Sequence, residues 1–176
     1  MRLFLERGYD ATTVSDVAAA AEVSHMTVFR YFPTKEALVL ADDYDPLLVE
    51  RISARPAGEP LLRRLQAGLI QALAEVLAAD RQLLLARTRF ILATPALRAR
   101  QWETQYATQQ AVVAALCGHS ATADPEQEFR VWVTTGVCLA AAAAAIIRWA
   151  QQDGRPDLLE LTRHALAIVA EEATAR

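Results

Sequence analysis

Apolar residues recur at helical spacing along almost the whole chain, and one stretch shows the pattern in its most compact form. Between residues 12 and 38, apolar positions fall at i, i+3, i+4 and i+7, formed by Val14, Val17, Ala18 and Ala21. This spacing places all four on one face of a helix. Val28 and Phe32 then lie one turn apart in the next segment. The pattern predicts two short amphipathic helices in close succession.

Polar residues at the ends of these segments predict where each helix begins and stops. Thr13 and Ser24 precede the two apolar runs, and their hydroxyls suit the cap position of a helix. Pro33 ends the second helix because it has no amide hydrogen, and Thr34 can cap a third helix that begins at Lys35. Two short helices joined by a tight turn predict a helix-turn-helix, whose second helix enters the DNA major groove.

The rest of the chain keeps the helical period without strand-like alternation, which predicts an all-α fold of about nine helices. The clearest linker covers residues 56–60, and residues 119–123 are expected to form a loop. Further helix ends or starts are predicted at Asp45-Pro46, Asp80, Thr94-Pro95, Cys117-Gly118, Asp124-Pro125, Asp153-Gly154 and Pro156.

Composition limits how the chain could bind nucleic acid. It has 176 residues, is 53% hydrophobic and carries a formal net charge of −3, so it can bury a sizeable core. The first forty residues contain four basic and five acidic side chains. DNA binding must therefore rest on a few placed groups and not on a basic field.

Nothing in the sequence points to a metal, a cofactor or a catalytic group. Cys117 and Cys138 lack C-x-x-C spacing and are expected to be reduced, buried thiols. His25, His119 and His164 form no i, i+4 pair, so we expect no zinc site. Because no nucleophile has a base nearby, we do not expect an enzyme.

One run invites comparison with a membrane span. Residues 131–147 carry no charge, but six of them are alanine, and the run lies at the lower limit of the roughly 17–25 residues that a span needs. We expect a buried helix of a soluble bundle instead. No basic-then-apolar leader is recognisable, and we place the protein in the cytoplasm, with no membrane partner.

A dense set of positions in the first quarter of the chain matches a known family: Leu3-Phe4, Gly8-Tyr9, Ala11-Thr12-Thr13, Val17-Ala18, Ala21, Val23-Ser24, Val28-Phe29, Tyr31-Phe32 and Lys35-Glu36-Ala37-Leu38. These residues closely resemble the amino-terminal domain of the tetracycline-repressor (TetR) family. The resemblance implies a DNA-binding domain over residues 1–40 and an effector-binding and dimerisation domain over residues 41–176.

The resemblance also implies which side chains contact DNA. Carried over position by position, they are Thr13, Ser24, Met26, Thr27, Arg30, Tyr31 and Lys35, with His25 exposed beside them. The caps, the tyrosine and the lysine suit phosphate oxygens, which set the register of a complex. Thr27, Arg30 and Met26 can read base edges. The alternative for each polar residue is ordinary solvated surface, and Phe29, which lacks a hydroxyl, is expected to pack.

Two features depart from the family pattern. Family members usually begin the first helix two or three turns earlier, so we expect that the first helix is truncated here. Glu22 stands where the turn commonly has glycine. If that position has a positive φ, glutamate there costs about 1 kcal/mol.

The segment Ile91–Arg100 resembles the subgroup whose carboxy-terminal domain is described as acyl-CoA-like ligand-binding. On that basis we expect an apolar effector pocket lined by Arg87, Phe90, Trp102, Tyr106, Phe129 and Trp132. The alternative is that the aromatics are ordinary core and the arginines solvated helix faces. The effector would be a small apolar molecule such as an acyl-CoA or a fatty acid.

The last two helices are the expected dimer interface, because small side chains let helices approach closely. The predicted contacts are Ala141, Ala144, Leu161, Ala165 and Ile168; the alternative is that the alanines fit against the chain's own core. We interpret the chain as a one-component transcriptional repressor that binds a palindromic operator as a homodimer and is released by the effector. The alternatives are a ligand-binding helical protein that does not bind DNA and an effector-independent activator.

Overall fold

A computed structural model describes residues 1–41, 44–118 and 124–174 of the chain. Within these ranges the structure has nine helices and no strand, which confirms the all-α prediction. The helices are α1 (Arg2–Arg7), α2 (Val14–Ala20), α3 (His25–Tyr31), α4 (Lys35–Leu40), α5 (Tyr44–Ser53), α6 (Leu61–Ala93), α7 (Pro95–Cys117), α8 (Pro125–Gln151) and α9 (Leu158–Thr174).

The amino-terminal head comprises α1 to α4, and short polar caps fix the starts of α2, α3 and α4, as the sequence predicts. The Thr13 hydroxyl accepts a hydrogen bond from the Asp16 amide, and the Asp16 carboxylate accepts one from the Thr13 amide, which completes a capping box on α2. Ser24 and Thr34 cap α3 and α4 in the same way through one amide each. These bonds satisfy amides that have no partner inside the helix.

The turn between α2 and α3 has the backbone that the sequence suggested. Glu22 has φ 56°, which is the left-handed region, and its amide donates to the Ala19 carbonyl. A side chain with a Cβ is strained in this region, where glycine is not. The turn thus carries a local energetic cost in exchange for its sharp change of direction.

The long helix α6 is two helices joined at a kink. Asp80 has φ −160° and ψ 89°, which are not helical, and its carboxylate accepts a hydrogen bond from the Leu83 amide at 2.8 Å. Asp80 therefore ends the first half and caps the second. The structure confirms the break predicted there. It differs by a residue or two at other starts: α5 begins at Tyr44, and α9 begins at Leu158 and not at Pro156.

The main core lies where α5, α6, α7, α8 and α9 meet. Fully buried side chains from these helices form one cluster that includes Leu48, Leu69, Val112, Cys138 and Leu166. Burial raises the pKa of the Cys138 thiol to about 11, so it stays protonated at neutral pH. By length and composition alone, α8 could cross a membrane. One of its faces packs in this core and the opposite face is exposed, so the expected buried helix is buried on one side only. The predicted 119–123 loop, with His119, lies outside the described residues.

A smaller cluster joins the head to the rest of the molecule. Phe4 of α1 and Val39 of α4 pack against Ile91 and Leu97, and the Phe4 ring lies 6.3 Å from the Phe90 ring. All four members of the cluster are nearly inaccessible to solvent. The head is thus held against the end of α6 and the start of α7 by an apolar contact.

Candidate functional site

The outer face of α3 is exposed to solvent. Met26 is 77% exposed, and Arg30 follows one turn later on the same side of the helix. His25 and Phe29 form a neighbouring pair, with ring centroids 4.5 Å apart in an edge-to-face arrangement. Phe29 is 39% exposed, so it packs only in part, against His25. We refer to His25, Met26, Phe29 and Arg30 as the α3 face.

Two cations next to this surface are held in position by aromatic rings. The Arg30 guanidinium lies 5.0 Å from the centre of the Tyr31 ring, and the Lys35 ammonium lies 4.3 Å from that of Tyr9. Lys35 also donates to the Asp10 carbonyl at 3.5 Å. Such contacts restrict long side chains without removing their charge. Both cations remain available to an anion that approaches the head.

The cap hydroxyls of the head already have partners within the chain. The Thr13 hydroxyl lies 2.6 Å from the Asp16 carboxylate, and the Ser24 hydroxyl lies 2.8 Å from that of Thr27. Donation to Asp16 lowers the pKa of this carboxyl, so it is ionised at neutral pH. The hydroxyls of Thr13, Ser24 and Thr27 are therefore already hydrogen-bonded at the starts of α2 and α3. Any contact that they made to DNA would have to share or replace those bonds.

A cavity of about 530 Å³ lies between the end of α4, α5, both halves of α6, α7 and α8. Its wall is mainly aliphatic and includes Leu40, Leu47, Leu73, Val76, Leu84, Ile91, Leu92, Ile146 and Ile147. The wall residues that carry polar groups are Tyr44, Asp45, Glu75, Asp80, Arg87, Thr88, Gln101 and Thr104. A largely apolar cavity of this size with a few polar groups has the character of a small-molecule site.

One residue of the cavity wall is hydrogen-bonded directly to the amino-terminal head. Arg87 Nε donates to the Val39 carbonyl at 2.9 Å, and Arg87 Nη2 donates to the Leu40 carbonyl at 2.7 Å. These are the last carbonyls of α4, which have no partner within their own helix. A change at Arg87 would therefore reach the end of α4 without an intermediate.

A third surface runs along the outer side of α8. Exposed apolar residues recur there every three or four positions, namely Phe129, Val133, Val137, Ala140 and Ala144. Val133 and Val137 are 46% and 42% exposed, and Ile168 of the adjoining α9 is 46% exposed. We call this set, with Ile168, the α8–α9 face. Exposed apolar residues that recur along one side of a helix are typical of an interaction surface.

The comparisons with known proteins cover both parts of the chain. Residues 1–41 match the family described as bacterial regulatory proteins, tetR family. Residues 59–174, well over half of the chain, match the MftR C-terminal domain. The chain belongs to the TetR family.

Its curated TetR relatives are transcriptional regulators. The regulator TcmR of Streptomyces glaucescens is 34% identical over 106 residues, which are 56% of this chain and 47% of TcmR. A transcriptional repressor of Mycobacterium tuberculosis is 54% identical over 37 residues, which are 21% of this chain and 20% of that protein. The chain thus aligns with about half the length of TcmR and with a smaller part of the repressor.

Two solved TetR structures share the whole fold. Thermus thermophilus FadR, a transcriptional repressor solved in complex with lauroyl-CoA, superposes with a TM-score of 0.62 at 27% identity. The match covers 100% of this chain and 92% of FadR. Bacillus subtilis FadR, solved with stearoyl-CoA, superposes with a TM-score of 0.52 at 18% identity over 95% of this chain and 91% of that one. The second comparison shows only that the fold is shared.

The cavity of this TetR protein differs from the pocket that the sequence suggested. Of the six predicted residues, Arg87 lines it and the other five lie elsewhere. Phe90 packs against the cluster that joins the head to α6 and α7. Trp102 and Phe129 are 72% and 61% exposed. Tyr106 and Trp132 pack against each other edge to face, with their ring centroids 5.4 Å apart. Helical spacing indicates the apolar side of a helix, but it does not show whether that side is covered or which neighbour covers it.

The predicted dimer contacts lie on or beside the α8–α9 face. Ala144 and Ile168 are exposed on it, whereas Ala141, Leu161 and Ala165 are half-buried. Val133 and Val137 are also exposed on this face and were not among the predicted contacts. Their spacing of four residues is the signal that identifies this side of the helix, whereas alanine content alone does not.

Proposed function

We propose that this chain is a DNA-binding transcriptional repressor that acts in the cytoplasm as a homodimer. In this proposal residues 1–40 bind DNA, and residues 41–176 bind the effector and form the dimer. The observation that carries it is the α3 face: a short capped helix with Met26 and Arg30 exposed side by side. Such a helix fits the major groove, where arginine and methionine can contact base edges.

The arrangement suggests that some of the eight predicted residues contact bases and the others contact phosphates. Met26, Arg30 and Thr27 are proposed to contact bases, with His25 beside them. Tyr31 and Lys35, at the end of α3 and the start of α4, are proposed to contact phosphates. Thr13 and Ser24 are proposed to contact phosphates mainly through the helix starts that they cap, because their hydroxyls have partners within the chain.

The dimer part of the proposal rests on the α8–α9 face. A two-fold assembly needs a patch that is complementary to itself, and an apolar stripe flanked by small residues meets this need. Packing α8 and α9 against their copies would form a four-helix bundle. It would also hold two heads over a palindrome with half-sites about 34–36 Å apart, or a multiple of that distance.

The effector part rests on the cavity and on Arg87. An apolar molecule of the size of a fatty chain suits a largely aliphatic wall, and a related repressor, Thermus thermophilus FadR, was solved with lauroyl-CoA. Acyl-CoAs and fatty acids are therefore the first compounds to compare. The effector must bind one arrangement of the heads better than the other, since equal affinity shifts no equilibrium. Arg87 would transmit this preference to α4.

Selection of binding sites from random duplex DNA tests the DNA-binding function. We expect a palindromic site whose affinity falls steeply with salt, because phosphate contacts release counterions. A triple variant with Met26, Thr27 and Arg30 changed to alanine should keep the fold and lose the site, since these side chains are exposed or half-buried. If no specific site is enriched although the protein is folded and dimeric, the function is ligand binding without DNA.

A further inference from the structure

The charged groups in the cavity wall are mostly acidic. Three carboxylates line it, from Asp45, Glu75 and Asp80, and one guanidinium, from Arg87. Across the described ranges, no second arginine and no lysine lines this cavity. An acyl-CoA or a fatty acid carries its negative charge at the polar end of an apolar chain. The wall is therefore poorly matched to the charge of such ligands.

The guanidinium of Arg87 is bonded to the protein itself. Its Nε and Nη2 donate to the Val39 and Leu40 carbonyls at 2.9 and 2.7 Å. A ligand anion that recruited this guanidinium would leave the end of α4 without those donors. Unpaired carbonyls in a partly buried place are costly, so the bonds to α4 compete with any anion.

Arginines close to the wall are directed to other partners. Arg51 holds Glu75 with two hydrogen bonds, of 2.6 and 2.8 Å, from one guanidinium to one carboxylate. This contact lowers the pKa of Glu75 and leaves it ionised but neutralised by its partner. Arg89 forms an ion pair with Asp153 at 3.0 Å. Neither side chain is oriented to receive an anion from the cavity.

Asp80 is a carboxylate of the wall that is exposed to solvent. It occupies the kink of α6, and its Oδ1 accepts a hydrogen bond from the Leu83 amide. Among the described residues, no arginine or lysine forms an ion pair with it. A fixed carboxylate in the wall of an apolar cavity attracts a positive charge and repels a negative one.

We propose that the effector of this cavity is an apolar cation, such as a long-chain or bulky aliphatic amine, with its positive charge near Asp80. The inference rests on the proposed function, in which the cavity binds the effector. An aliphatic amine is protonated at neutral pH, as the lysine side chain is. Its chain would occupy the aliphatic wall, and its ammonium would lie within reach of the acidic residues.

Four ligands with the same alkyl chain separate charge from chain length: dodecylamine, dodecanol, dodecanoate and lauroyl-CoA. Calorimetric titration of the full chain at neutral pH should give dodecylamine about tenfold tighter binding than dodecanoate, because the two feel opposite forces from the wall. Tighter binding of dodecanoate or lauroyl-CoA overturns the cation inference but not the proposed function. Equal binding of dodecanol and dodecylamine has the same consequence. If none of the four binds, the effector cavity of the proposed function fails with it.

A matched pair of variants assigns the preference to Asp80. Asp80→Asn removes the charge and keeps an oxygen that can cap the Leu83 amide, so the kink should persist. Asp157→Asn does the same at the start of α9, where Asp157 caps the Glu160 amide outside the cavity wall. We expect the preference for dodecylamine over dodecanoate to fall severalfold in the first variant and to stay unchanged in the second. Equal preferences in both variants would overturn the role of Asp80 and with it the inference.

Discussion

At the scale of single residues, Glu22 is a position where the backbone conformation is strained. Its φ of 56° lies in the region that glycine occupies freely, and its side chain is exposed. The side chain therefore offers little packing to offset the strain. Functional turns often retain such strain because the geometry of neighbouring elements requires it. Here the neighbouring elements are the two helices of the helix-turn-helix.

Replacing Glu22 with glycine should stabilise the protein. Relief of the left-handed strain is expected to raise the free energy of unfolding by up to about 1 kcal/mol, or the melting temperature by about 2–4 °C. Ala21→Gly is the control, because Ala21 has φ −93° and gains nothing from glycine. A melting temperature that falls equally in both variants would show that the backbone at Glu22 is not strained.

Arg30 and Lys35 should affect DNA binding in different ways. Arg30 lies on the α3 face, so Arg30→Ala should cost about 1–3 kcal/mol and relax the preference at one base in each half-site. Lys35 is expected to contact a phosphate, so Lys35→Ala should weaken binding to all DNA sequences alike. It should also lower the salt dependence of DNA affinity by about one phosphate contact. Titrations of the selected operator and of a scrambled duplex at several salt concentrations would distinguish the two effects. A sequence-dependent loss in Lys35→Ala would reverse the assignment.

At the scale of helices, close approach between α5 and α6 depends on one missing side chain. Gly68 is buried in α6, and a Cβ there would overlap Ile52 Cγ1 and lie 3.0 Å from Ile52 Cα. The backbone of α5 cannot move away without disturbing Leu48 and Leu69 in the main core. Helix propensity by itself would favour alanine at this position by about 1 kcal/mol. Packing thus opposes propensity here.

Gly68→Ala should destabilise the protein despite its better helix propensity. We expect a loss of about 1–3 kcal/mol, since overpacking of a dense core forces backbone shifts. Gly58→Ala serves as the control because a Cβ at Gly58 would meet no atom within 4 Å. Denaturant unfolding of both variants measures the difference. If Gly68→Ala were as stable as Gly58→Ala, α5 and α6 would not be as close as described.

At the scale of the whole molecule, two contacts would connect effector, head and partner. Arg87 joins the cavity to α4, and the α8–α9 face would set the distance between the two heads. Both features involve residues that are far apart in sequence. The regulatory behaviour of the protein would therefore be a property of the assembled fold.

Arg87→Leu should separate effector binding from DNA release. The variant loses both hydrogen bonds to α4 but keeps an apolar wall, so ligand affinity should change little. Operator affinity in the presence of saturating ligand should then approach that of the free protein. Parallel titrations of ligand and operator test this, with Arg98→Leu as control, since the hydrogen bond that Arg98 donates goes to the Leu92 carbonyl and not to α4. Normal release by Arg87→Leu would mean that the signal takes another route.

Ile168→Arg should dissociate the proposed dimer. A charge buried in an apolar seam costs several kcal/mol, and sedimentation should show monomers that no longer bind the operator. Val137→Arg on α8 should act in the same way. Leu5→Arg is the control, because Leu5 is similarly exposed at 40% but lies in the head. Variants that remain folded, dimeric and competent for DNA would locate the interface elsewhere.

The sequence by itself determined the local structure of this protein. Helix starts at Ser24 and Thr34, the break at Asp80 and the strained turn at Glu22 depend on interactions within a few residues, and those residues carry the signal. The tertiary structure alone decided which side chains surround the cavity. Phe90 turned to the head, Trp102 to solvent, and Arg87 to the carbonyls of α4. The physical reason is that periodicity reveals the apolar side of a helix, whereas its neighbours depend on how all nine described helices pack together.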